Sequence, residues 1–198
     1  VFVLLGSILV GTQLAYVLNR FKFPGNGLVR SLFLFATLLP GIAMQVSVYQ
    51  IMSNLGFINH LYGYIIMSMG TDVISIYIFI QFMENISVSL DESAFIDGAS
   101  YFTIYWKIIL PLVVPGIAAV AIFVLINGWN EYMYSSVLIS KDALKTLTVG
   151  IVSLNTQNQV HWNDMMAASS MSCLPLIILF LCFQKYFIAG MTSGAVKS

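Results

Sequence analysis

Five apolar stretches leave this chain little choice of fold: residues 1–18, 31–52, 61–83, 112–138 and 165–187. As an α-helix rising about 1.5 Å per residue, each crosses or nearly crosses roughly 30 Å of hydrocarbon. A backbone amide in that medium finds no water, so a spanning segment has to close its hydrogen bonds within itself. A hydrophobic fraction of 59%, only 8% charged residues and a mean hydropathy of +0.91 exclude an ordinary soluble domain. The expected fold class is all-α, a polytopic membrane helical bundle with five crossings, forming a single transmembrane domain over residues 1–198.

Charge sets the orientation. Arg20, Lys22 and Arg30 fall in one short loop after the first stretch, which the positive-inside rule assigns to the cytoplasm. Alternation then puts Lys107, Lys185 and Lys197 inside as well and only Lys141 and Lys145 outside, so loop 89–111 and the C-terminus are expected to be cytoplasmic. Val1 opens an apolar run without a charged leader, unlike a signal peptide, and a preceding segment is expected to be missing. The formal net charge is zero and basic residues are not clustered, so no nucleic-acid partner is expected. Cys173 and Cys182, nine residues apart, point to nearly opposite sides of one helix; they are expected to be buried thiols, and no metal-ligand spacing accompanies them.

Polar residues inside the apolar stretches are the candidates for a solute path. Pro40-Gly41 interrupts the second stretch, and Gln45, one turn on, either repairs the freed backbone or lines a cavity. Asp72 lies near the middle of the third, where a carboxylate faces the bundle interior for function or is a hydrogen-bonded packing residue. Asn127, Asn130 and Glu131 cluster near the outer end of the fourth, which is long enough to require tilt. They either offer hydrogen bonds to a polar solute or, for Glu131, snorkel within an interfacial belt of Trp129, Tyr132 and Tyr134. The outer segment 140–164 holds LTVGIVSL, too short to span and expected as a surface or re-entrant helix. His161 is expected to be a solvated loop histidine, and no catalytic residue is expected, because no nucleophile stands at a recognisable offset from it. No GxxxxGK[ST] sequence is present to cradle ATP.

Residues 89–111 are the exception in a charge-poor chain. Asp91 or Ser89 is expected to cap a short helix, with Glu92 in its first turn and Gly98 supplying the turn that ends it. Ala99–Ile109 is expected to form a second helix with Phe102, Trp106 and Ile109 on one face, giving a hairpin along the membrane surface that Pro111 breaks or redirects.

Glu92, Ala94, Gly98, Ile108, Leu110 and Pro111 stand at the offsets Glu-Ala-Ala, three residues, Gly, nine residues, Ile-x-Leu-Pro, with Ser93 in place of the second Ala. This spacing resembles the cytoplasmic signature loop of ABC importer permeases. RFKFPG after the first stretch, LLPG in the second, WNEY in the fourth, Gln184-Lys185-Tyr186 and the tail GMTSGAVKS extend the likeness over nearly the whole chain. They are similar to the carbohydrate-uptake, maltose-type branch. The resemblance implies a five-helix permease core in a bacterial-type cytoplasmic membrane, with one more N-terminal helix than is present here. It also implies a second homologous permease, two cytoplasmic ATPase subunits that bind ATP and Mg, an extracellular or periplasmic solute-binding protein and a carbohydrate substrate. The chain itself would hold no cofactor and catalyse nothing. By the same resemblance Glu92, Ser93, Ala94, Asp97, Gly98, Ala99, Ile108, Leu110 and Pro111 would form the ATPase-coupling loop within 89–111. Gln81, Glu84 and Ser87 depart from the Arg and Pro common there and leave open how the chain approaches the loop. The rival function, a channel or secondary transporter without ATP coupling, predicts matched broken helices in two halves.

Overall fold

A computed structural model of the chain describes residues 1–70, 72–155 and 161–195, with side chains to Gln184 except Phe183. The regular elements are helices: α1 (Phe2–Arg20), α2 (Asn26–Leu38), α3 (Gly41–Asn54), α4 (Leu61–Gly70), α5 (Val73–Glu84), α6 (Val88–Ile96), α7 (Tyr101–Ile104), α8 (Leu110–Leu112), α9 (Val114–Asn130), α10 (Met133–Leu138), α11 (Leu147–Ser153) and α12 (Trp162–Ala195). A π turn, Tyr105–Ile109, joins α7 to α8. Among the described residues two helices, Phe2–Arg20 and Trp162–Cys182, are long and apolar enough to cross a membrane alone; counting each bent pair as one span gives up to five. The fold is the expected all-helical one. The chain divides into two compact units, one built from Val1–Leu39, Ser68–Val124 and the described residues from Tyr186 on, the other from Pro40–Met67 and Leu125–Lys185.

The first unit is assembled around the pairing of α1 with α5. Ser7, Gly11 and Ala15 recur every four residues and lie buried on one side of α1 with Gly6, Thr12, Tyr16 and Leu18. Between helices in lipid the hydrophobic effect supplies no drive, so close approach through small residues has to supply van der Waals contact instead. Ile76, Phe79, Ile80 and Met83 of α5 fill the space thus opened, and Ile104, Tyr105, Ile109, Val113, Val120 and Val124 complete the core. Thr12 Oγ1 donates to the Ile8 carbonyl at 2.6 Å and shares a 2.7 Å hydrogen bond with the Tyr105 hydroxyl. The last carbonyls of α1 are answered too: Leu18 accepts from Asn26 Nδ2 (3.0 Å) and from Arg30 (2.7 Å).

In the second unit Met52, Leu138 and Ile139 form the buried centre. Asn59 adopts a left-handed conformation, φ 61°, and its Oδ1 accepts from the Ser140 amide (2.7 Å), the Ser140 hydroxyl (2.8 Å) and the Lys141 amide (3.1 Å). One asparagine thus fastens the α3–α4 loop to the start of the outer segment. LTVGIVSL forms the short helix α11, with Val149 inward.

Several expected elements are broken or displaced. The second stretch breaks before Pro40 as expected, Leu39 taking the extended conformation that a following proline imposes. The third was expected as one helix, yet α4 ends at Gly70 and α5 starts at Val73. The fourth was expected as one tilted helix, yet α9 ends at Asn130 and α10 follows separately. Cys173 and Cys182 were expected to be buried and are both exposed, because the span Trp162–Cys182 has none of its apolar window covered by this chain.

The small-residue side of α1 yields a stability prediction through its contact with Met69 of α4. A Cβ at Gly6 collides with the Met69 side chain, whereas one at Gly128 meets nothing within 4 Å. Gly6→Val should therefore cost about 1–3 kcal/mol of overpacking, and Gly128→Ala should be neutral or slightly stabilising by helix propensity. Thermal unfolding in detergent measures both. An unchanged midpoint for Gly6→Val would show that the small-residue side of α1 does not set the helix spacing.

Candidate functional site

Loop 89–111 is built from two capped helical pieces. Ser87, and not Asp91 or Ser89, caps α6, its side chain accepting from the Ser89 amide at 3.3 Å. The earlier cap moves Glu92 out of the first turn and puts Asp91 there instead. At the other end Gly98 has φ 83°, its amide bonds the Phe95 carbonyl, and the Ala99 amide bonds the Ala94 carbonyl, both at 3.0 Å. This is a Schellman termination with glycine at the left-handed position. It accounts for the signature spacing: Ala94 supplies the carbonyl that the final amide closes, Gly98 the left-handed residue and Ala99 that amide.

Beyond the glycine, Ser100 caps α7 through the Thr103 amide at 3.2 Å. The second helix was expected to run from Ala99 to Ile109; α7 covers only Tyr101–Ile104 before the π turn. The widened turn also corrects the expected face. Phe102 and Trp106 remain neighbours, 6.0 Å between rings and both exposed, but Ile109 is rotated into the core beside Ile104. The segments Tyr101–Leu112 and Val114–Asn130 meet at a 73° bend, with Pro111 just before it.

The signature residues thus divide by direction. Ala94, Ala99, Ile108 and Leu110 pack against the first unit's core. Glu92, Ser93, Asp97, Gly98 and Pro111 are exposed. Phe95 and Ile96 stand out among them at 55% and 84% exposure, a large apolar surface for a short polar loop.

Sequence reasoning missed what holds this loop in place. Arg20 Nε lies 2.6 Å from Asp91 Oδ2, with side chains only 8% and 14% exposed, and the Arg20 guanidinium also donates to the Ile86 carbonyl at 3.0 Å. Rings continue the brace: Phe21 to Tyr101 at 5.0 Å, Tyr101 to Phe95 at 5.4 Å, and Tyr16 to both Phe21 and Tyr105. Glu84, one of the departures from the family pattern, lies 3.6 Å from Arg30. Burial pushes the Asp91 carboxyl above its ordinary range; Arg20 draws it down and Glu92 adds to the rise. The available signal was an arginine at the end of one stretch and an unassigned acid beside the signature, but nothing local joins them.

The solute-path candidates behave differently. Asp72 caps α5, accepting from the Ser75 amide at 3.2 Å and from the Ser75 hydroxyl. Glu131 does the same for α10: its two carboxylate oxygens accept from the Tyr134 and Ser135 amides at 2.7 and 3.0 Å. Gln45 donates to the Met133 carbonyl at 2.7 Å, and the Tyr134 hydroxyl donates to the Gly41 carbonyl at 3.3 Å, so the breaks at Pro40-Gly41 and Glu131-Tyr132 are tied together within the second unit. Asn127 and Asn130 are exposed on α9, and Asp72 belongs to the other unit.

The described chain is thus all-helical, with side-chain caps at its helix breaks and one braced loop. Residues 7–193 match the family described as binding-protein-dependent transport system inner membrane component, and the chain belongs to that family. It is 31% identical over 192 residues to the probable ABC transporter permease protein YurM of Bacillus subtilis, covering 96% of this chain and 64% of that protein. It is 32% identical over 197 residues to the trehalose/maltose transport system permease protein MalG of Thermococcus litoralis, covering 98% and 71%. The chain therefore spans about two thirds of the length of these relatives. A solved bacterial ABC transporter involved in the import of the acidic polysaccharide alginate matches with a TM-score of 0.80 at 26% identity, over 94% of this chain and 70% of that one. The relatives favour the ATP-coupled permease over the channel or secondary transporter.

The capping role of Glu131 is open to direct test. Glu131→Ala removes both acceptors and should destabilise the start of α10 by about 0.5–2 kcal/mol, while Glu131→Gln keeps one acceptor and should fall between. Hydrogen exchange at the Tyr134 and Ser135 amides reports it. Unaltered protection in Glu131→Ala would return this carboxylate to the solute path or the interface.

Proposed function

We propose that the chain is the permease subunit of a sugar or oligosaccharide importer and that loop 89–111 is its ATPase-docking element. The observation carrying this is the directional split of the loop, with alanines and aliphatics anchored inward and Glu92, Phe95, Ile96 and Asp97 turned outward around a glycine turn. An exposed apolar patch flanked by acids fits a partner protein better than water. In this reading two ATPase subunits bind ATP and Mg and hydrolyse the nucleotide, a second homologous permease completes the pathway, and a solute-binding protein delivers the sugar. The names of relatives favour the sugar class: trehalose/maltose for MalG, and arabinooligosaccharides for the AraQ protein of Halalkalibacterium halodurans, 32% identical over 191 residues. Gln45, Asp72, Asn127, Asn130 and Glu131 remain the residues nearest a path; for Gln45, Asp72 and Glu131, backbone capping is the first role.

Docking should separate from folding by substitution. Gly98→Asp forces a side chain into a left-handed residue, costing roughly 1–2 kcal/mol, and adds charge at the docking surface. Glu92→Ala removes one charge-assisted contact of about 1.5–3 kcal/mol. Both variants should insert normally, with ATPase retention on co-purification lost almost completely in Gly98→Asp and partly in Glu92→Ala. Full retention in Gly98→Asp would mean that another surface binds the ATPase.

The cytoplasmic placement of this loop rests on the loop charges and is tested separately. A thiol introduced at Lys145 should react with an impermeant maleimide from outside intact cells, and one at Ser100 only after permeabilisation, in a background lacking Cys173 and Cys182. External labelling at Ser100 would invert the topology.

A further inference from the structure

We propose that the buried Arg20–Asp91 ion pair transmits movement of the docking helix to the first membrane helix, so that Arg20 and Asp91 are positioning residues for coupling. This rests on the docking reading above. Arg20 is the last residue of α1, Asp91 lies in the first turn of α6, and they meet at 2.6 Å. The same guanidinium holds the Ile86 carbonyl between α5 and α6 at 3.0 Å and Asn19 Oδ1 at 3.0 Å. The guanidinium thus hydrogen-bonds two points of the chain and faces the Asp91 carboxylate as a charge contact, a use of one planar group for which arginine is suited and lysine is not.

Direction supports the assignment. Asp91 is turned into the protein against Arg20, while the adjacent Glu92 is exposed, so neighbouring acids serve opposite sides of α6. A push delivered to the outward side reaches α1 through the Asp91 carboxylate and, in parallel, through the Phe95–Tyr101–Phe21 rings at 5.4 and 5.0 Å. From α1 it passes to the core through Tyr16 and the Thr12–Tyr105 hydrogen bond. The ring pairs have preferred geometries of their own but carry no net charge. The charged pair is the element of this path in which opposite charges meet directly, so α6 cannot leave α1 without separating them in a partly desolvated place.

The test uses the assembled complex in proteoliposomes with its ATPase subunits, second permease and binding protein. A single thiol at Asn130, in a background lacking Cys173 and Cys182, reports conformation by its maleimide reactivity with and without Mg-ATP and vanadate. Asp91→Asn and Arg20→Gln should keep ATPase retention at the parent level yet reduce the ATP-induced change in reactivity by about fivefold or more. The double variant should be no worse than either single one, as expected of two groups acting as a unit. Arg20→Lys keeps the charge but loses the fork, and should show an intermediate loss with normal retention; it carries the test if the other variants fail to accumulate. A full ATP response in these variants overturns the proposal, and so does loss of ATPase retention in step with the response, which would make the pair a plain support of the docking surface. A parent complex that retains its ATPase but shows no ATP response removes the coupling reading as well. Retention that survives Gly98→Asp removes the docking reading, and with it this proposal.

Discussion

Every backbone amide and carbonyl placed in hydrocarbon has to find a partner inside the protein, at a cost of several kcal/mol where it does not. This chain breaks its helices repeatedly within apolar stretches, so it has to answer each break locally. Asp72 closes the start of α5, Glu131 closes the start of α10, and Gln45 serves the Met133 carbonyl. A carboxylate in an apolar stretch is itself expensive, about 2.5–3.5 kcal/mol for Asp at a helix centre. At a helix N-terminus the dipole and two convergent donors offset that cost. Gln45, Asp72 and Glu131, three of the five residues expected along a solute path, thus serve first to close broken helices.

The loop proposed to dock the ATPase solves a different problem, remaining stiff while exposed. Its termini are closed by Ser87, the Gly98 turn and Ser100, so few backbone groups depend on water. The π turn then sets which side chains face inward. In a straight α-helix five residues advance about 140° beyond a full turn, and Ile104 and Ile109 would point apart. The wider turn at Tyr105–Ile109 lets both reach the core, leaving Trp106 and Lys107 outside. π turns of this kind are frequent at functional sites because they redirect side chains without ending the helix.

The helical class and the location of the loop were legible because they depend on local quantities: length of apolar runs, glycine at a helix end, and proline. The break at Pro40 was readable for the same reason. The breaks at Gly70 and Asn130 were not, since hydropathy is continuous across them and only the capping geometry of Asp72 and Glu131 reveals them. The cap at Ser87 was missed because serine and aspartate at several neighbouring positions compete for one role. The small-residue side Ser7, Gly11 and Ala15 was not read from the sequence, and its partner helix α5 is set by tertiary contact. The Cys173 and Cys182 error has another origin. Apolar character predicts removal from water, which lipid and neighbouring protein satisfy equally, and so cannot predict burial within one chain.

The Arg20–Asp91 pair was the least legible feature, and its energetics argue that stability is not why it is there. Removing two charges from water costs several kcal/mol per ion, and a buried pair often recovers no more than that. The Asp91 carboxyl is raised above its ordinary range, so desolvation outweighs the attraction of Arg20 at this site. The contrast with Arg30–Glu84 is instructive: at 3.6 Å and largely hydrated, that pair is worth about 0–1 kcal/mol and costs little to keep. An apolar contact would hold α6 against α1 as firmly as Arg20–Asp91 does, but in more than one orientation. What the ion pair adds is a penalty on separation, because slippage of α6 away from Arg20 leaves a largely desolvated charge without its counter-charge. The arginine that the positive-inside rule counts toward the orientation of the first span thus also braces α6, so one side chain enters both the expected topology and the loop geometry.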